Sequence, residues 1–231
     1  MKYRKRILAI IALVMGLVLI TAVAGKMPEG MISGEQGYRE DPTVKVIESA
    51  VIIESGDLVG CGNVWETDGD IVTVITASHV IADEEDVRVR LANGDVLGAE
   101  ALRNDTESDY CFLRVKAGDV NGVTGIVRAD DLPQAGAEVF MALPFLPESV
   151  SIGTVGLDKG ESGPAVSKGV VISPGIYSED LTMDVIYCSI DVSEGMSGGG
   201  LFDDKGRYLG FLIGGSDEAE GMFLPVVSIV R

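Results

Sequence analysis

Histidine is almost missing from this sequence: there is one in 231 residues, beside three cysteines and one tryptophan. A single histidine excludes metal sites that need two. Three cysteines without C-x-x-C spacing make a poor zinc or iron–sulfur set, so no metal or other cofactor is expected. Basic residues are scarce as well. Eighteen Lys and Arg stand against 36 Asp and Glu, a net −18 at neutral pH. A chain of that sign lacks the basic footprint needed to displace phosphate counterions, which excludes a general nucleic-acid binder. Aromatics are only 6%, whereas glycine is abundant at 30 residues and proline contributes 8. Many turns and few aromatics suit an all-β protein. A hydrophobic fraction of 46% excludes a disordered chain. The length suits one domain, or two small ones sharing a core.

One long apolar run is present, and it lies at the start. Lys2, Arg4, Lys5 and Arg6 precede 18 uncharged residues from Ile7 to Ala24. As a helix this run would reach ~27 Å, close to the ~30 Å hydrocarbon thickness of a bilayer. Ala22-Val23-Ala24 also fits a signal-peptide cleavage site before Gly25. Residues 1–25 are therefore expected to be either a signal peptide or a retained N-terminal membrane anchor. Both readings keep the basic end in the cytoplasm and place the remainder outside, at the cell membrane or secreted. With the four cations set aside, 14 basic residues face 36 acidic ones, a net −22. Residues 26–43 contain Pro28, Gly30, Gly34, Gly37 and Pro42 and read as a linker.

From Val44 onward the pattern is short and β-like. Val44, Val46, Ile47, Val51, Ile52 and Ile53 cluster; Asp68-Gly69 precedes the run Ile71–Ile75; Val87–Leu91 alternates and turns at Asn93-Gly94; Asp203-Asp204-Lys205-Gly206 joins Leu201-Phe202 to Tyr208–Ile213. No segment after residue 25 sustains helical apolar periodicity, and no fixed-period repeat is visible. The Gly- and Ser-rich stretch between Pro144 and Met183 is expected to form long loops. Short strands with turn signals indicate a sandwich or barrel.

Gly195-Met196-Ser197-Gly198-Gly199 carries the chemistry. A serine between glycines can present its hydroxyl on a tight turn, with the N–H groups of Gly195 and Ser197 aimed at a developing oxyanion. The string also fits the nucleophile elbow of α/β-hydrolases, but that fold needs its histidine after the serine. The only histidine, His79, comes before it, at the end of the strand-like run Val72–Thr76. The third partner should be an Asp about thirty residues further on. Asp109 opens the apolar run Tyr110–Val115, and Asp105 is the alternative. Asp109 would orient His79 and stabilise its imidazolium.

These blocks, with Gly60-Cys61-Gly62, Thr76-Ala77-Ser78-His79-Val80, Gly210 and Phe223-Leu224-Pro225, resemble in order and spacing the trypsin-like serine proteases of the HtrA/DegP type. The resemblance covers residues 44–231. It implies two six-stranded Greek-key barrels, about 44–120 and 125–231, behind an N-terminal hydrophobic helix. The catalytic residues would be His79 and Asp109 from the first barrel and Ser197 from the second, acting on polypeptide substrates. Departures exist. Met196 stands where the family often has Asn and where trypsins carry the Asp that pairs with a new N-terminus. Gly200 replaces a common Pro. No PDZ domain is expected in the short stretch after Ser197. Asp191 falls where trypsins carry their pocket acid, and reads either as that acid or as a loop carboxylate. Leu212, Ile213 and Gly214 would form the pocket wall. Cys61, Cys111 and Cys188 lie in apolar stretches and read as buried thiols. The alternative function is a catalytically weak peptide-binding protein on the same fold. Oligomeric state is not legible.

Overall fold

The computed structural model describes residues 42–81, 86–144, 166–179, 182–215 and 220–229. The apolar run 7–24 lies outside them. Among the described residues no helix is long and apolar enough to cross a membrane. The architecture belongs to a unit spanning residues 40–231.

The described residues of this unit begin with a helix, α1 (Pro42–Ser49). This corrects the expectation of strands from Val44. Pro42 starts the helix, where its missing N–H costs nothing. Val46 and Ser49, three apart, form its buried face, and the Ser49 hydroxyl donates to the Val46 carbonyl at 2.7 Å. A two-turn helix is too short to show periodicity above its β-branched composition. Pro42 and Thr43, expected at the end of a linker, are therefore already helical.

Among the described residues thirteen strands follow: β1 (Ala50–Ser55), β2 (Leu58–Asp68), β3 (Ile71–Thr76), β4 (Val87–Arg90), β5 (Val96–Asp105), β6 (Tyr110–Lys116), β7 (Val127–Arg128), β8 (Glu138–Ala142), β9 (Val166–Ser178), β10 (Met183–Asp191), β11 (Gly200–Asp203), β12 (Arg207–Gly215) and β13 (Glu220–Pro225). The first six close into an antiparallel barrel in the order β1-β2-β3-β6-β5-β4. The last six close in the order β8-β9-β10-β13-β12-β11, with β7 added in parallel beside β12. Numbered within each barrel, both orders read 1-2-3-6-5-4. The described residues are thus all-β apart from α1 and two short 3-10 turns, Ser78–Val80 and Val226–Ser228, and the two expected Greek-key barrels are present. Closure gives each barrel strand partners on both sides.

Alternation builds the cores. In β4, Val87 and Val89 point in while Arg88 points out; in β6, Leu113 and Val115 are fully buried while Arg114 and Lys116 are exposed. The second core gathers Met141, Ile186, Ile190, Leu201 and Phe223, all fully buried. Part of the stretch expected as loops is the long strand β9. Its end near Val166 pairs with β8 and its far end with β10. Changing partners midway lets Gly169, Pro174 and Gly175 occupy a strand whose sequence reads as loop. Residues 145–165 lie outside the described residues. Cys61, Cys111 and Cys188 are buried thiols outside any disulfide.

Candidate active site

Strand pairing brings His79 and Asp109 to one rim. β3 ends at Thr76, directly opposite Cys111 of the neighbouring β6. His79 follows in the 3-10 turn Ser78–Val80, and Asp109 immediately precedes β6. Ser78 and Val80 are buried and anchor the turn, while the His79 side chain between them is 46% exposed. The Ser78 hydroxyl donates to Asn104 Oδ1 at 2.6 Å, tying the turn to β5. Nothing in the sequence around Asn104 marks it for this role.

Asp109 receives His79 at three places. Its Oδ1 accepts the His79 backbone N–H at 3.0 Å, and Nδ1 lies 2.8 Å from Oδ2 and 3.1 Å from Oδ1. The Asp109 backbone is left-handed, φ 50°, a conformation that aspartate tolerates better than most side chains. The tautomer that makes this bond carries hydrogen on Nδ1 and leaves the Nε2 lone pair available. The hydrogen bond to Asp109 raises the imidazole pKa above its ordinary value; partial burial opposes this, and Coulomb attraction to Asp109 adds to it. The alternative, Asp105, is engaged elsewhere. It accepts the Ser108 N–H at 3.0 Å and pairs with Arg103, and the Ser108 N–H holds its carboxyl below the usual range.

Ser197 lies in the connection between β10 and β11, which is the third-to-fourth strand link of the second barrel. His79 occupies the same link of the first. Ser197 is latched across the barrels: its carbonyl accepts the Cys61 N–H of β2 at 2.8 Å. The next residue, Gly198, donates to Leu212 O at 2.7 Å, and Leu212 returns a bond to Gly199 O at 2.9 Å. Gly198 has φ +83°, and a Cβ there would stand 2.0 Å from the Cys61 carbonyl oxygen and 2.4 Å from Thr76 Oγ1. Only glycine fits this backbone contact. Gly60 is equally confined, since a Cβ there would meet Val80 at 2.6 Å and Ser197 O at 3.1 Å. Gly60 therefore lies between the His79 turn and Ser197. Among the described residues the Ser197 hydroxyl makes no hydrogen bond, so His79 and Ser197 are brought to one locality through β2 and not by a direct bond.

Among the described residues no protein acceptor takes the N–H of Gly195 or Ser197. Both are half-buried, and Gly195 has φ +84°. Two N–H donors left open on one turn beside a hydroxyl form an anion-binding arrangement. Asp191 ends β10 exposed, opposite Glu220 of β13, whose carboxylate accepts the Tyr187 hydroxyl. Leu212 and Ile213 are buried in the cores, and Gly214 is half-buried beside Met222. Among the described residues no group of three His, Cys, Asp or Glu side chains is placed to hold a metal ion.

Paired Greek-key barrels with a histidine–aspartate pair and a glycine-flanked serine at their junction define the chymotrypsin fold class. Within it, the trypsin-like peptidase domain matches residues 60–211, and the chain belongs to that family. Its relatives are HtrA- and DegP-like. "Serine protease HtrA-like" from Staphylococcus epidermidis is 23% identical over 82% of this chain and 31% of its own length. "Probable periplasmic serine endoprotease DegP-like" from Pseudomonas fulva is 31% identical over 66% of this chain and 28% of its own. The chain thus spans about a third of the length of the curated relatives it matches. Among solved structures, the inactive form of the Rv3671c protease of M. tuberculosis superposes with a TM-score of 0.63 at 26% identity, covering 82% of this chain and 90% of that one.

Proposed function

We propose that the protein is an extracytoplasmic serine endopeptidase with His79, Asp109 and Ser197 as its catalytic residues. The observation that carries this reading is the Asp109–His79 hydrogen bond at 2.8 Å on the rim to which Cys61 latches the Ser197 turn. Ser197 Oγ adds to the peptide carbonyl carbon while His79 Nε2 takes the hydroxyl proton. Asp109 holds the imidazolium that forms. The N–H groups of Gly195 and Ser197 bind the oxyanion. As the C–N bond breaks, His79 returns the proton to the leaving amine; water then enters by the same route and frees Ser197. Substrates are polypeptides.

Residues 1–25 deliver the domain across a membrane and either leave as a signal peptide or stay as an anchor. The four cations ahead of an 18-residue apolar run support this, and one relative is described as periplasmic. Asp191 is a solvated carboxylate at a strand end, with Leu212, Ile213 and Gly214 forming the adjoining wall of the substrate site.

The test is covalent. A fluorophosphonate probe is expected to label the wild-type protein and not Ser197→Ala. Hydrolysis of an unfolded protein substrate should fall about 10⁴-fold or more in that variant. Hydrolysis that survives Ser197→Ala overturns the assignment. Peptide binding without any labelling establishes the second reading, a peptide-binding protein on this fold.

A further inference from the structure

The turn that carries the two open N–H groups is held by sulfur. Met196 is fully buried, and its Sδ accepts from the Ser193 backbone N–H at 3.2 Å and from the Ser193 hydroxyl at 3.3 Å. On the other side of the turn, the Cys61 thiol donates to the Gly195 carbonyl at 3.4 Å. The peptide between Gly195 and Met196 is therefore gripped at both ends: its carbonyl oxygen by Cys61, and its N–H by the Ser193 carbonyl at 3.2 Å. The two uncommitted N–H groups, Gly195 and Ser197, belong to the peptides immediately before and after it. Fixing the central peptide plane and the Ser193 end sets the direction in which both neighbours point. The Met196 carbonyl accepts the Gly199 N–H at 2.9 Å, which restrains the downstream peptide as well.

We propose that Met196 and Cys61 are positioning residues for oxyanion stabilisation, their two sulfur atoms holding the Ser193–Ser197 turn with the Gly195 and Ser197 N–H groups convergent. The inference rests on the peptidase reading above. A thioether is a weak acceptor and a thiol a weak donor, so the turn is set by several small contacts. Burial pushes the Cys61 thiol up to about 12, so it remains a protonated donor across the neutral range. Neither sulfur touches the reacting atoms; both act through the backbone.

The experiment measures the rate of fluorophosphonate labelling of Ser197, which needs no knowledge of the natural substrate. It also measures KM and kcat on a peptide substrate. Met196→Leu keeps the volume and removes the acceptor; Ser193→Ala removes one donor to it. Cys61→Ala removes the thiol, and Cys61→Ser restores a hydroxyl donor. Met196→Leu and Cys61→Ala are expected to label about tenfold to a hundredfold more slowly, as small misplacements of catalytic groups do. KM should stay within about twofold, because the donors bind the oxyanion and not the ground state. Cys61→Ser should recover most of the rate, a rescue that packing alone does not supply. Thermal melting confirms that each variant is folded, and Ser193→Ala stands in for Met196→Leu if the latter is not, with a smaller drop in the same direction. Wild-type rates in Met196→Leu or Ser193→Ala, or Cys61→Ser no better than Cys61→Ala, overturn the proposal while leaving the peptidase reading intact. A wild-type protein that does not label removes the peptidase reading, and this inference with it.

Discussion

A carboxylate that meets a histidine at both its backbone and its ring does two jobs at once. Asp109 fixes the 3-10 turn through the His79 N–H and selects the tautomer through Nδ1. Because its hydrogen bond raises the His79 pKa above the ordinary 6.5, the neutral base is fully present only well above that value. In the proposed enzyme, kcat/KM should rise along an acid limb centred above pH 6.5. Stability runs the other way. The raised pKa favours the folded state while both states are protonated, and that contribution is lost as pH rises through the folded value. Asp109→Asn separates charge from geometry, since asparagine also tolerates a left-handed backbone. The variant should melt near the wild type, lose about 10⁴-fold in kcat, and shift the limb downward. A pH–rate profile with an unmoved limb would assign it to another group. At this scale the sequence was legible wherever a rare residue left no choice. The one histidine points to itself, and the glycine-rich string Gly195–Gly199 marks Ser197. The choice of Asp109 over Asp105 followed from which opens a strand, and Asp105 proves to be bound to Ser108 and Arg103. Met196 and Ser193 were opaque, because an apolar side chain gives no sign that its sulfur will serve as an acceptor.

Elements were readable when their ends carried turn residues. The hairpins β2–β3, β4–β5 and β11–β12 were all marked by Asp-Gly, Asn-Gly or Asp-Asp-Lys-Gly. In the last of these, Asp203 accepts the Lys205 and Arg207 N–H groups at 3.0 and 2.8 Å. α1 and β9 were missed, since a two-turn helix and a strand that changes partners both depend on tertiary contacts for their definition. The contact between β2 and the Ser197 turn was invisible for the same reason, yet it sets the site. Gly198→Ala tests it. The substitution combines a left-handed backbone with a Cβ placed 2.0 Å from the Cys61 carbonyl oxygen. Strain and overpacking together are expected to cost about 3 kcal/mol. That corresponds to a melting temperature lower by about 10 °C for a domain of this size. Fluorophosphonate labelling should be lost even at temperatures where the variant is folded, because relieving the clash separates the Ser197 turn from β2 and Thr76. Unchanged melting and labelling would mean that the contact is looser than the backbone geometry requires.

Taken whole, the molecule repeats one design: both barrels run 1-2-3-6-5-4, and His79 and Ser197 both lie in the third-to-fourth strand connection. No sequence repeat announces this, because only the inward face of each strand is constrained and many apolar sets satisfy it. What the sequence does announce is charge. The net value is −18, and three carboxylates belong to the strand ends and turn around Ser197: Asp191 and Glu194 exposed, and Glu220 half-buried opposite Asp191. Acidic groups clustered near a site concentrate cationic chains from solution. For the proposed peptidase, kcat/KM on a peptide of charge about +3 should fall several-fold as ionic strength rises from about 10 mM to about 150 mM, because the screening length shrinks from about 30 Å to about 8 Å. A neutral peptide of the same cleavage sequence should change little, and an acidic one should improve. Asp191→Asn then distinguishes a distributed field from a pocket acid. As a solvated carboxylate, Asp191 contributes only its share of the field, and its loss should change the rate on a substrate with Lys before the scissile bond by no more than about threefold, in proportion to other nearby acids. A pocket acid would instead cost that substrate about a hundredfold and spare the others, a result that would move Asp191 from the rim into the specificity site.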